Sequence, residues 1–200
     1  MAKSYVDANY RFIAAYQEVN VRIAQRQQAL TLYVTLTVSL LAALVALKPG
    51  EVGSHPPIEW LVIGFPVASI CLVFLNYMAE RAIANLRHFL STLEKLGPEP
   101  QENADGTIVS LPSYHLDPAW TNTANKARRF HVFAAAVLVA GGNGIGLGAV
   151  IKIYPERIAE NPAVIWLTAA VAVISVIALL VIPRWSYRAE PNASTAKKLA

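Results

Sequence analysis

The chain has 200 residues, 17 Lys and Arg against 13 Asp and Glu, and a formal charge of +4 at pH 7. It is 55% hydrophobic and only 15% charged, with mean hydropathy +0.41. A water-soluble domain of this size carries about a quarter charged residues, so the balance excludes an ordinary soluble globule and points to a chain that meets lipid.

Residues 1–29 open with Phe12, Tyr16, Val19, Ile23 and Leu30 at helical spacing, while Glu18, Arg22 and Arg26 take other positions. That pattern predicts an amphipathic helix. No Gly or Pro separates it from a charge-free window over 30–47, so one helix is expected to run through both. Inside the window Thr31, Thr35 and Ser39 fall on one face and continue a line through Gln27 and Gln28. Such a seam suits hydroxyls bonded back to their own helix or packed on a neighbour. It also suits a water path in an oligomer.

Residues 30–77 read as an apolar hairpin whose second charge-free window, 60–77, holds Gly64 and Pro66. Proline there removes one backbone hydrogen bond and favours a kink. The single Cys71 lies in this window, so no intramolecular disulfide forms and no cysteine pair is present for a metal.

Residues 78–131 carry Met78, Ile83, Leu86, Phe89, Leu90, Leu93 and Leu96 on one broad helical face before the stop signal Gly97-Pro98. Phe12 and Tyr16 are the expected contacts from the N-terminal helix, and Leu86, Leu90 and Leu93 those from this extension. "PEPQENADGT" reads as a polar loop, and "IVSLPSYHLDPAW" as a more apolar segment packed on the helices. Asp117 and Pro118 suit an N-cap and first helical position.

Residues 132–183 form a second apolar hairpin with charge-free windows over 132–151 and 163–183. The first contains "VAGGNGIGLGAV", with five of the chain's ten glycines. A phosphate-cradling loop would need a strand before it and a helix start after it, and both flanks are apolar helix instead. Gly142 with Gly146, and Gly144 with Gly148, are overlapping small-xxx-small pairs that let another helix approach closely. Asn143 among them cannot face hydrocarbon unpaired without a cost of several kcal/mol (~2–7). It could bond across helices, join a ring of amides around an oligomer axis, or cap a locally unwound turn in this glycine-softened helix. Residues 184–200 are a short polar tail without expected fixed structure.

At ~1.5 Å per residue, each of the four windows approaches the ~30 Å thickness of a hydrocarbon core. The fold class predicted is therefore an all-α integral membrane protein, with four transmembrane helices arranged as two hairpins carrying cytoplasmic helical extensions. A polar stretch with Asp7 and Glu18 precedes the first window, which does not fit a cleavable signal peptide, so the first helix is expected to act as its own insertion signal. Fourteen of the 17 basic residues lie in the N-terminal, central and C-terminal segments, and only Lys48, Lys152 and Arg157 in the two short loops. The positive-inside rule then places both termini in the cytoplasm, as in a bacterial inner-membrane protein. Arg22, Arg26, Arg128, Arg129, Arg184 and Arg188 hug the helix ends, where anionic lipid headgroups are the expected partners. No nucleic-acid partner is needed to explain them.

Catalytic chemistry finds little purchase here. The windows contain no Asp, Glu, His, Lys or Arg, and His55, His88, His115 and His131 are scattered without metal-like spacing. No catalytic residues, metal site or cofactor are expected, and the protein does not read as an enzyme. In plan, the first half resembles small membrane effectors of bacterial immune systems, with an amphipathic helix, a tight membrane hairpin and a cytoplasmic helical extension. With that plan, the glycine–asparagine segment, the hydroxyl seam and the lack of catalytic groups lead to the expectation of a homo-oligomeric channel or membrane-perturbing effector with a cytoplasmic sensing layer. Two alternatives stand beside it: an anchor that recruits a soluble protein partner through its cytoplasmic helices, and a small-solute transporter.

Overall fold

A computed structural model describes residues 7–47, 58–95, 101–102, 108–109, 115 and 118–181. The elements in order are α1 (Ala8–Ala46), α2 (Ile58–Lys95), β1 (Gln101–Glu102), β2 (Ile108–Val109), α3 (Pro118–Ile153), α4 (Pro155–Glu160) and α5 (Pro162–Val181). Apart from one antiparallel pair, in which Gln101 faces Val109 and Glu102 faces Ile108, the described chain is helical. Gln101–Glu102 fall inside the segment read from sequence as a polar loop, and Ile108–Val109 open the more apolar segment that follows it, so a strand pair replaces part of that loop.

The unbroken stretch from 8 to 46 forms a single helix of 39 residues, as the missing Gly and Pro signals predict. Helix α2 runs 38 residues through Pro66 and ends at Lys95, just before the Gly97-Pro98 stop. Pro118 opens α3 as its first residue, while the proposed cap, Asp117, lies outside the described residues. In the glycine segment one of the expected options fails. Helix α3 passes through 139–150 without a break, so Asn143 does not cap an unwound turn. The connection after α3 holds a further six-residue helix, α4, that composition did not reveal.

Four helices are long and apolar enough to cross a membrane: Asn9–Ala46, Leu61–Lys95, Asn122–Ile153 and Pro162–Val181. Only 22–39% of each apolar window is buried within the chain. Leu32, Phe74, Ile145, Trp166, Leu167 and Ile174 are all at least 60% exposed. Side chains of that size facing outward on every span-length helix need apolar surroundings, which supports a membrane location.

The described residues divide into two units, one drawn from those within 1–24 and 80–129, the other from those within 25–79 and 130–181. In unit 1, Ala15, Val19 and Leu90 are buried together with Phe12, Ile23 and Leu86 around them. The stripe on α1 thus meets the stripe on α2. Leu90 has no exposed surface, so Leu90→Ala should cost ~2–5 kcal/mol. Hydrogen exchange across 80–95 should accelerate in that variant, while the amides of α5 keep their protection.

In unit 2, one cluster joins Ala29 and Tyr33 of α1, Ala68 and Leu72 of α2, Ala136 and Val139 of α3, and Leu179 of α5. A second joins Leu44, Val62, Phe65, Val150 and Tyr154. The Tyr154 hydroxyl donates to the Leu44 carbonyl at 2.9 Å. This satisfies one of the last α1 carbonyls, which have no partner within their own helix. Burial pushes the Tyr154 phenol above its ordinary value, so it stays protonated and keeps donating at neutral pH.

Candidate functional site

The glycine–asparagine segment of α3 has two sides. On the inner side, a Cβ at Gly142 would lie 2.9 Å from the Tyr33 hydroxyl and 3.1 Å from Thr37 Cγ2. A Cβ at Gly146 would lie 2.9–3.0 Å from three atoms of the Phe65 ring. These two glycines are needed because α1 and α2 side chains already fill the space a larger residue would claim. On the outer side, nothing lies within 4 Å of a Cβ built at Gly141, Gly144 or Gly148. Of the two small-xxx-small pairs, Gly142/Gly146 is consumed within the chain and Gly144/Gly148, continued by exposed Ala140, stays open.

Asn143 belongs to the inner side and is 2% exposed. Its Nδ2 donates to Ser69 Oγ on α2 at 2.7 Å and to the Val139 carbonyl of its own helix at 2.8 Å. Ser69 passes the bond on, donating to the Phe65 carbonyl at 2.9 Å. The amide is therefore a cross-helix tie within one chain, a bond worth ~0.6–2 kcal/mol between membrane helices. Its Oδ1 has no hydrogen-bond partner.

The hydroxyl seam of α1 takes the back-bonded form. Thr31 donates to the Gln27 carbonyl at 3.2 Å, Thr35 to Thr31 at 3.0 Å and Ser39 to Thr35 at 2.9 Å, and all three are exposed. The polar residues that do point inward are others. Thr37, Ser69, Asn76, Asn143, Thr168 and Ser175 are each at most 7% exposed, so all four span-length helices bring a polar side chain into unit 2. The i, i+7 spacing of Ser69 with Asn76, and of Thr168 with Ser175, was the signal available for them. Tyr33 is 5% exposed and lies in the unit 2 interior.

The basic residues also separate. Arg128, expected at lipid headgroups, is only 7% exposed and pairs instead with Glu80 of α2, itself 3% exposed. An inward-facing carboxylate on the neighbouring helix recaptures a guanidinium that the sequence assigns to the bilayer surface. Arg129 is exposed, Arg26 is half-buried, and Arg22 pairs with Glu18 one turn away at 3.0 Å. Arg184 and Arg188 lie outside the described residues.

Of the expected helix contacts in unit 1, Phe12, Leu86 and Leu90 come together. Leu93 is half-buried, and Tyr16 turns outward at 49% exposure. His115, one of the four histidines scattered along the sequence, is buried against Glu94. Its backbone N–H donates to Glu94 Oε2 and its Nδ1–H to Oε1, both at 2.8 Å. The Phe12 ring meets the imidazole edge-on, with centroids 6.2 Å apart. This clamp fixes His115 to the end of α2 and had no sequence signal beyond the lone His.

Among the described residues no group of three His, Cys, Asp or Glu side chains is placed to hold a metal. No family model, curated protein or solved structure matches the chain.

Proposed function

We propose that the chain is one protomer of a homo-oligomeric membrane channel or membrane-perturbing effector. In this reading the four apolar helices insert as two hairpins in a bacterial inner membrane. Both termini and the helical unit 1 are cytoplasmic, with unit 1 as the layer that receives the activating signal. The observation that carries the reading is the outward face of α3, where Ala140, Gly141, Gly144 and Gly148 leave backbone uncovered. Packing between close backbones drives helix association in lipid, and a second copy brings the same helix with the same groove. Asn143 is tied inside the protomer, so a permeation path between protomers would not be lined by a ring of its amides.

The test uses a Cys71→Ala chain carrying Gly144→Cys, reconstituted in liposomes. Oxidation should give a disulfide-linked dimer, and Gly144→Leu should reduce both the oligomer mass in nanodiscs and ion flux. A chain that stays monomeric and conducts nothing under any trigger would remove this reading.

A second reading, a membrane anchor for a soluble partner, is favoured by a different observation. Tyr10, Ile13 and Tyr16 on α1 are 74%, 56% and 49% exposed, in the part of α1 that belongs to unit 1. A stoichiometric partner lost with Tyr16→Asp and kept with Gly144→Leu would favour the anchor.

A further inference from the structure

Hydrocarbon offers no hydrogen bonds, so polar groups inside a membrane bundle must find partners within the protein or in trapped water. Unit 2 holds an unusual set of buried groups in this respect. The Tyr33 hydroxyl, Thr37 Oγ1, Asn143 Oδ1 and both amide atoms of Asn76 are buried and make no hydrogen bond to protein. These residues are at most 7% exposed. They come from three helices, α1, α2 and α3, with buried Thr168 and Ser175 added by α5.

The Tyr33 and Thr37 hydroxyls both lie beside Gly142 of α3. The Tyr33 and Thr37 oxygens are 2.9 and 3.8 Å from the Cβ position of Gly142, and Asn143 is the next residue along, its Cα ~3.8 Å further on. Their hydrogen-bonding capacities are complementary but unmatched. Asn143 Oδ1 only accepts, while the two hydroxyls both donate and accept. A single water, with two donors and two acceptors, spans ~5.5–6 Å between partners and has the hydrogen-bonding capacity that these three groups lack. Asn76, two turns along α2 from Ser69, presents an amide with a donor and an acceptor both open, the pairing that one water also completes.

We propose that the interior of unit 2 is a water-binding site, with ordered water bridging Asn143 Oδ1 to the Tyr33 and Thr37 hydroxyls and further water held by Asn76. The bundle is then wet at its centre and dry at its lipid-facing surface. Its helices are joined through water as well as through the Asn143–Ser69 bond. The inference concerns one protomer and is independent of whether the chain oligomerises or conducts.

The experiment is water-edited solid-state NMR on the full chain in liposomes, with side-chain 15N label in asparagine. The Asn143 resonance is assigned by its loss in Asn143→Leu, and Asn76 by its loss in Asn76→Leu. Magnetisation from water should reach the Asn143 amide as fast as it reaches the exposed Asn9 and Asn20. In Tyr33→Phe with Thr37→Val the Asn143 peak should persist and its early water transfer should be lost. Thr37→Val alone serves if the double variant does not fold, with partial loss expected. Transfer to Asn143 far slower than to Asn9 and Asn20, or transfer unchanged in the variants, would overturn the proposal. So would a through-space contact showing Tyr33 donating directly to Asn143.

Discussion

Replacing Arg128 by alanine should lower the unfolding midpoint of the solubilised protein more than any other single basic-residue change. The guanidinium is the ion-pair partner of Glu80, and both side chains are nearly enclosed. Removing one member of such a pair leaves the other charge buried and uncompensated, at a cost of ~3–5 kcal/mol. Since a whole domain is stable by only ~5–15 kcal/mol, the variant should be largely unfolded on mild heating. Glu80→Ala should behave the same way. The informative case is the double variant Glu80→Leu with Arg128→Met, because apolar replacement of both partners removes the desolvation penalty as well as the attraction. It should recover most of the lost stability. If Arg128 served anionic lipid instead, Arg128→Ala would weaken association with anionic vesicles and leave the midpoint alone, and the double variant would recover nothing.

Substituting leucine at Gly146 should be the most damaging change in unit 2. The first added carbon would already meet the Phe65 ring at 2.9 Å, and Phe65 is 2% exposed within the cluster around Leu44 and Tyr154. The ring cannot retreat without displacing that cluster, so overpacking should cost ~1–3 kcal/mol or more. Phe65→Ala in the same chain should restore much of the loss by opening the space leucine needs. Gly148→Leu, only two positions along, adds a side chain where nothing lies within 4 Å and should leave the protomer's midpoint unchanged. Thermal unfolding of the three variants in one detergent checks both statements. Equal effects at Gly146 and Gly148 would contradict the two-sided description of α3.

What could be read from the sequence follows from where charge contrasts with apolar residues. The four windows, the continuity of α1 and the stop after Lys95 rest on missing charges and on Gly and Pro punctuation, both local signals. The pairing of Phe12 with Leu86 and Leu90 was legible because polar residues mark the other faces of those helices. Inside the windows that contrast disappears. Thr35 and Thr37 are chemically identical, and only the rotation of α1 about its axis makes one exposed and the other buried. Membrane-type helices are apolar on both faces, so hydrophobic periodicity carries no information about that rotation. Asn143 could be singled out because of its cost, but nothing local to either residue paired it with Ser69. The same holds for Arg128 and His115, whose acidic partners Glu80 and Glu94 sit on another helix.

The ladder of Thr31, Thr35 and Ser39 fixes the electrical character of one outer face of α1. Each hydroxyl proton is committed to a carbonyl of its own helix, so what remains directed outward is oxygen lone pairs. A face built this way accepts and does not donate. Neighbouring groups that carry protons or positive charge are attracted to it, and exposed carbonyls or carboxylates are not. Replacing the three residues by valine would keep the shape and erase that preference, leaving a neutral stripe of the same width.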